Sequence, residues 1–183
     1  MKGFNTKSRW NKLLRTGAWG KERGEFHKKI LKYLPKNKEI TVLDIGCAVG
    51  HGTIELAKKL KKAKFEACDF SNDGIKKAKG LYGKKIKFFV HDVYKDKLKK
   101  KYDYILIIET LEHLKNPKKI VKKYLKSCKI LLVSVPYKEK ELWKEHINRF
   151  DESSFRDFKE LIKRVIFRKP GSDMKLILYI FEK

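Results

Sequence analysis

The chain has 183 residues, of which 42% are hydrophobic and 12% aromatic, and it carries 47 Lys and Arg against 22 Asp and Glu. This composition argues against a disordered chain, and no apolar run approaches the ~20 residues that a membrane helix needs. The formal charge of +25 makes nucleic acid a candidate partner, the alternative being that the lysines only form solvated surfaces.

The N-terminal segment, residues 1–38, is basic and helix-forming, with twelve Lys and Arg against two Glu. Residues 25–34 (EFHKKILKYL) have helical spacing and stop before a proline. We expect an amphipathic helical lid whose aromatic residues pack on the sheet, although aromatic rings among basic residues could also stack on bases. The aromatic residues in question are Trp10, Trp19 and Phe26.

Strand and helix patterns alternate after residue 39. The strand patterns cover residues 40–46, 64–70, 85–93, 102–109 and 129–136. The helical patterns cover residues 53–62, 72–83 and 116–127. Such alternation is typical of parallel strands joined by helical crossovers, which build an open, doubly wound sheet.

The C-terminal part predicts a helix around residues 151–163 and then two strands, 165–169 and 174–183. The short link between these strands contains Pro170-Gly171 and indicates a hairpin, so the last strand should run antiparallel. The sequence therefore predicts an α/β fold with a seven-stranded, doubly wound, mostly parallel sheet. We expect a single domain over residues 1–183, with the lid in 1–38 and the catalytic core in 39–183.

The N-terminus and the cysteines bear on the cellular compartment. The first residues, MKGFNTKSRW, lack the apolar core of a secretory signal. Cys47, Cys68 and Cys128 lie far apart and form no CxxC pair, so neither a disulfide framework nor a cysteine zinc site is indicated. A reduced, cytoplasmic protein without a membrane span is the simplest interpretation.

Four predicted strands end in glycine or acidic residues. In a doubly wound sheet, ligands bind beyond the carboxyl ends of the strands, where the strand order reverses. The first strand leads into a glycine-rich turn, DIGCAVG (44–50), whose backbone N–H groups can approach an anion or a carboxylate closely. The next three strands end in Asp69, Asp92 and Glu109.

The stretch VLDIGCAVGHGT (42–53) resembles motif I of the class I S-adenosylmethionine-dependent methyltransferases. Ala48 stands where the pattern has a glycine, which is tolerable if the backbone angles there are ordinary. The resemblance runs from about residue 40 to the C-terminus and implies S-adenosyl-L-methionine as the cofactor. The cofactor residues that it implies are Asp44, Gly46, Cys47, Ala48, Gly50, Asp69, Phe70, Asp92, Val93 and Glu109.

Within this set, the resemblance implies a role for each acidic strand end. Asp44 and the loop from Gly46 to Gly52 would hold the methionine part of the cofactor. Asp69 would take the ribose hydroxyls, and Asp92 would face the adenine amine. Glu109 would lie next to the reacting sulfonium.

The stretch ETLEHL (109–114) places two glutamates and a histidine at spacings of three and four residues. It resembles an E-x-x-E-H-L signature found in several branches of the superfamily, including ubiquinone-type O-methyltransferases. In the small-RNA 3′-terminal ribose 2′-O-methyltransferases, such a cluster and a later histidine bind a divalent metal. The corresponding set here is Glu109, Glu112, His113 and His146, and carboxylates with imidazoles suit Mg²⁺, Mn²⁺ or Zn²⁺.

Several interpretations of this cluster stay open. Glu112, His113 and His146 are the candidate catalytic residues, with His113 either a metal ligand or a metal-free general base. Residues 137–150, with Trp143, would form the other wall of the acceptor site. The sequence favours methyl transfer to an oxygen or nitrogen of a small molecule. The alternatives are metal-dependent methylation of an RNA ribose 2′-oxygen and a non-catalytic, cofactor-binding partner subunit, and the oligomeric state is not indicated.

Overall fold

The computed structural model describes residues 5–16, 23–168 and 173–183. The helices are α1 (Lys7–Arg15), α2 (Arg23–Ile30), α3 (His51–Lys59), α4 (Asn72–Tyr82) and α5 (Pro117–Leu125). The strands are β1 (Thr41–Ile45), β2 (Lys64–Asp69), β3 (Lys87–Val90), β4 (Tyr102–Ile108), β5 (Cys128–Pro136), β6 (Leu161–Arg168) and β7 (Lys175–Glu182). None of the helices in these residues has the length and apolar content needed to cross a bilayer.

The strands in the described residues form one seven-stranded sheet in the order β3-β2-β1-β4-β5-β7-β6. β1 pairs in parallel with β2, β2 with β3, and β4 with β5. β7 runs antiparallel to both β5 and β6. The predicted mostly parallel sheet with an antiparallel last strand is confirmed, although the Pro170-Gly171 link lies outside the described residues.

The chain divides into two compact units, Met1–Lys97 and Leu98–Lys183. In the first unit, β1 to β3 carry a buried apolar core, because parallel strands with helices on their faces are covered on both sides. Ser71 caps α4 by accepting the N–H of Gly74, which satisfies one of the free N–H groups at a helix start. The chain therefore leaves β2 and enters α4 immediately after Asp69.

The N-terminal helices belong to the first unit, where α1 packs on α4 and α2 packs on α3. The predicted helix over residues 25–34 begins earlier, at Arg23, and its α-helical part ends at Ile30, before a short 3-10 turn, Leu31–Tyr33. Trp10 and Phe26 are buried, while Trp19 lies outside the described residues. The single domain and the role of residues 1–38 as a lid stay predictions.

In the second unit, β4, β5 and β7 form the buried centre of the sheet. The interiors of these strands are almost entirely inaccessible to solvent, in agreement with their continuous apolar sequences. α5 begins at Pro117, where the missing proline N–H costs nothing, and buries Ile120, Val121 and Tyr124. Its lysines are left on the outer face.

The predicted helix around residues 151–163 is wrong. Residues 151–160 form successive turns, and β6 then begins earlier than predicted. Asp151 accepts the backbone N–H of the residue two positions further on, a local bond that competes with helix formation. The N–H of Phe158 bonds the carbonyl of Phe155, so the three-residue spacing of these aromatic residues comes from a turn.

We expect Phe155→Ala to lower the free energy of unfolding by about 3–5 kcal/mol. Phe155 is 1% exposed and packs on Phe150, Phe158 and Tyr179, so truncation leaves a cavity among aromatic rings. Urea unfolding followed by circular dichroism measures the loss. Ile162→Thr, at a side chain that is 57% exposed, is the control and should change the stability by less than about 0.5 kcal/mol. Equal effects of the two substitutions would contradict this packing.

Candidate active site

The glycine-rich turn between β1 and α3 has an unusual backbone. Gly46, Ala48 and Gly50 all have positive φ angles, of 78°, 51° and 82°. The N–H groups of Gly46 and Cys47 bond the carbonyl of Cys68 on β2. The N–H of Gly50 bonds the carbonyl of Cys47 within the turn, so these hydrogen bonds hold the left-handed residues in place beside β2.

Asp69, at the end of β2, holds this turn in place. One of its carboxylate oxygens accepts the N–H of Ala48 at 3.0 Å, and the other accepts the N–H of Ser71 at 2.9 Å. The side chain is 7% exposed, and charge-assisted hydrogen bonds of this kind are about twice as strong as neutral ones. Asp69 therefore ties the glycine-rich turn to the start of α4.

Ala48 does not have the ordinary backbone angles that its tolerance was expected to require. A left-handed conformation at a residue other than glycine costs about 1–3 kcal/mol. Two contacts offset this cost, the hydrogen bond to Asp69 and the packing of the Ala48 methyl group in a buried cluster with Trp10 and Leu14 of α1. Phe70 also packs against this cluster.

Asp44, at the end of β1, is 1% exposed and bonds two side chains. Nε2 of His27 lies 3.2 Å from its Oδ2, and the hydroxyl of Thr53 donates to the same oxygen at 2.5 Å. No pattern in the sequence indicates a partner for His27, whereas Thr53 could have been found from its position in the first turn of α3. The acid of the motif is thus held from both α2 and α3.

Asp92 and Val93 follow β3 and are half-buried. The carboxylate of Asp92 accepts the N–H of Tyr94 at 2.9 Å, a local turn that ends the strand. β3 pairs with β2 so that Val90 lies opposite Asp69. Asp92 therefore follows the strand end next to Asp69.

The Cys47 thiol lies within the glycine-rich turn and is buried. Burial, with the nearby carboxylates of Asp69 and Asp44, raises the pKa of this thiol well above its ordinary value. A protonated thiol is a poor nucleophile. We therefore expect no nucleophilic role for this thiol, and the place of Cys47 among the cofactor residues stays a prediction.

In the second unit, Glu109 follows β4 with a φ angle of 50° and is 6% exposed. Its N–H bonds the carbonyl of Ser134 at 2.8 Å, and the Ser134 hydroxyl lies 3.4 Å from its carboxylate. A left-handed glutamate at a strand end is strained, and such strain concentrates at functional sites. The hydrogen bonds to Ser134 of β5 therefore fix the position of the Glu109 backbone and one side of its carboxylate.

Glu112, His113 and His146 come together in the second unit. One possible ligand atom from each lies within 4.8 Å of the others. The Oε1 of Glu112 lies 3.8 Å from Nε2 of His113, and the two imidazole rings are in edge contact with centroids 4.8 Å apart. Glu109 is not part of this group, so three of the four predicted metal-site residues are brought together.

Each histidine of this cluster is held through its Nδ1 atom. Nδ1 of His113 lies 3.0 Å from the carbonyl of Glu145, and Nδ1 of His146 lies 2.8 Å from the carboxylate of Glu139. Since both partners are acceptors, Nδ1 carries the proton in each ring and Nε2 has the lone pair in the neutral form. This arrangement is the one that orients histidines which bind a metal or abstract a proton.

The segment 137–150 is fastened to this cluster by Asn148. Its side-chain amide donates to the carbonyls of Leu111, Glu112 and Leu114. The indole of Trp143 is 55% exposed and stacks on His146 with centroids 6.2 Å apart. The role of Asn148 could not be predicted from the sequence, because its partners lie more than thirty residues earlier in the chain. The bond of Glu139 to His146 lies within the segment 137–150 but matches no regular helical or strand spacing.

Comparison with curated proteins gives partial matches to methyltransferases. The chain is 30% identical over 87 residues to a malonyl-[acyl-carrier protein] O-methyltransferase from Bacillus anthracis, which is 47% of this chain and 32% of that protein. A second such protein, from Ilyobacter polytropus, is 30% identical over 89 residues, or 47% of this chain and 34% of that protein. The match therefore spans about a third of the length of these relatives.

Solved structures of similar fold cover nearly the whole chain. The N-methyltransferase NodS from Bradyrhizobium japonicum WM9, in complex with S-adenosyl-L-homocysteine, has a TM-score of 0.71 at 19% identity and covers 88% of this chain and 87% of its own. A protein solved in complex with the Haloferax volcanii Trm112 methyltransferase activator has a TM-score of 0.74 at 14% identity, covering 95% of this chain and 98% of its own. At these identities the likeness concerns the fold.

The family comparison covers both units. A family model described as a methyltransferase domain matches residues 18–164. This range includes the glycine-rich turn, the three acidic strand ends and the cluster of Glu112, His113 and His146. With this match and the seven-stranded sheet, the chain belongs to the methyltransferase domain family of the class I fold.

Proposed function

We propose that this chain is an S-adenosylmethionine-dependent methyltransferase that acts on an oxygen or nitrogen of a small molecule. The observation that carries the proposal is the bond between Asp69 and the Ala48 N–H. This bond holds the Asp69 carboxylate next to the turn of left-handed residues. A carboxylate has about four acceptor positions, so Asp69 can accept hydrogen bonds from ribose hydroxyls in addition to those from two backbone N–H groups.

The first unit supplies the proposed cofactor residues. Asp44 and the turn from Gly46 to Gly50 bind the methionine part, and Asp69 binds the ribose. Phe70, Asp92 and Val93 lie along the adenine, and Glu109 is a further proposed cofactor residue. When bound, the cofactor supplies an electrophilic methyl group on a sulfonium, and these residues orient it for in-line displacement.

The second unit supplies the proposed acceptor residues. The tautomer set by the Glu145 carbonyl leaves the Nε2 lone pair of His113 beside Glu112. In the proposed transfer, the acceptor oxygen forms a bond to the methyl carbon as the carbon–sulfur bond breaks. His113 takes the acceptor proton, and S-adenosylhomocysteine leaves. The curated relatives, which are named as O-methyltransferases, support an oxygen as the acceptor atom.

A second candidate is methylation of an RNA ribose hydroxyl with a divalent metal. Two imidazole nitrogens and a carboxylate oxygen lie within 4.8 Å of one another, and imidazole with carboxylate is a ligand set that suits divalent metals. Mg²⁺, Mn²⁺ or Zn²⁺ held by Glu112, His113 and His146 would lower the pKa of a bound hydroxyl. The charge of +25 and the exposed Trp143 also favour a nucleic acid.

The experiment incubates the protein with methyl-labelled S-adenosylmethionine and a cellular extract that is separated into small-molecule, protein and RNA fractions. We expect label in the small-molecule fraction, with equal rates in EDTA and in added Mn²⁺. Label that enters RNA only without chelator would replace the first candidate with the second. Cofactor binding with no label in any fraction would contradict both and support a non-catalytic partner subunit.

A further inference from the structure

His27 is a buried histidine of α2 that bonds the acid of the glycine-rich motif. It is 5% exposed and lies 3.2 Å from the Oδ2 of Asp44, which is 1% exposed. Water therefore cannot compete for this contact. The residue precedes β1 by fourteen positions, outside the part of the chain in which the motif predicts cofactor residues.

The contact defines the protonation of the ring and the orientation of the carboxylate. A carboxylate only accepts, so Nε2 of His27 carries the proton. The Thr53 hydroxyl donates to the same oxygen. In the described residues both hydrogen bonds to the Asp44 side chain end on Oδ2, which fixes its rotation and leaves Oδ1 as the oxygen able to accept from a ligand.

Gly52, in the first turn of α3, has no side chain where the His27 ring packs. A Cβ atom at this position would lie 2.1 to 2.5 Å from three atoms of the imidazole ring, which is well within van der Waals contact. Any larger residue would displace the ring from Asp44. The helix that follows the cofactor turn is therefore shaped to receive this histidine.

We propose that His27 is a positioning residue of the cofactor site. It holds the Asp44 carboxylate so that Oδ1 accepts the cationic amine of the methionine part of S-adenosylmethionine. This inference rests on the proposed function. It makes the N-terminal segment a part of cofactor binding through α2, since the donor that orients Asp44 comes from that segment.

The test compares His27→Leu, which fills the space without a donor, with His27→Gln, which restores an N–H group. Titration calorimetry measures binding of S-adenosylhomocysteine and of 5′-methylthioadenosine, which lacks the amino-acid part. We expect His27→Leu to weaken the binding of S-adenosylhomocysteine about ten- to hundredfold and to leave the affinity for 5′-methylthioadenosine unchanged. His27→Gln should recover most of the affinity.

Thr53→Val is a second variant that removes the other donor while keeping the shape of a fully buried side chain. Thr53→Val should also lose affinity for S-adenosylhomocysteine but not for 5′-methylthioadenosine. If His27→Leu does not fold, this variant tests whether the donors to Asp44 position its carboxylate. Unchanged binding of S-adenosylhomocysteine, or equal losses for both ligands, would overturn the role of His27. Failure of the wild-type protein to bind either ligand would instead count against the proposed function.

Discussion

Asp69→Asn should weaken binding of S-adenosylhomocysteine about 100-fold or more. The carboxylate accepts N–H groups from Ala48 and Ser71 with its two oxygens, and asparagine has one oxygen only. One of the two N–H groups then faces an NH₂ donor in a buried site, so the strained turn at Ala48 loses the bond that holds it. Titration calorimetry measures the change in affinity.

The matched control is Asp73→Asn, four residues further along the chain. Asp73 pairs with Arg15, whose side chain is 74% exposed, and an exposed pair contributes less than about 1 kcal/mol. Binding should be nearly unchanged in this variant. Wild-type affinity in Asp69→Asn, with an unchanged melting temperature, would show that Asp69 does not organise the cofactor turn.

His113→Ala and Glu112→Gln should each lower the rate of methyl transfer about 10²- to 10⁴-fold while cofactor affinity stays at the wild-type level. Both residues belong to the proposed acceptor site in the second unit, whereas the hydrogen bonds that organise the glycine-rich turn all lie within the first unit. The measurements are single-turnover transfer from labelled cofactor and calorimetric binding of S-adenosylhomocysteine.

Glu141→Gln serves as the control for these two variants. Glu141 lies in the same segment as His146 and is exposed, so its neutralisation should leave both the rate and the affinity unchanged. Loss of cofactor binding together with the rate in His113→Ala would place His113 with the cofactor and overturn its assignment to the acceptor.

The sheet could be predicted because its strands carry strong local signals. β4 and β5 have continuous apolar sequences, β1 leads into a glycine-rich turn, and β2 leads into the capped helix α4. The helix around 151–163 could not be rejected in the same way. Phe155 and Phe158 have helical spacing, but the local bond of Asp151 and the packing of both rings on β7 favour the turns.

The part of the candidate site that could be predicted consists of residues that form a local sequence pattern. Glu112 and His113 are adjacent in sequence, and the structure groups them with His146 but not with Glu109. The bonds to His27 and Asn148 join elements that are distant in the chain, so no local pattern could reveal them. The left-handed backbone at Ala48 was also hidden, because an alanine in sequence gives no sign of a positive φ angle.

The most direct test of the proposed function is calorimetric titration of the wild-type protein with S-adenosylhomocysteine. The carboxylate of Asp69 and the turn from Gly46 to Gly50 predict saturable binding of one ligand per chain. Absence of binding heat and of any rise in melting temperature at saturating ligand would contradict a methyltransferase cofactor site in this chain.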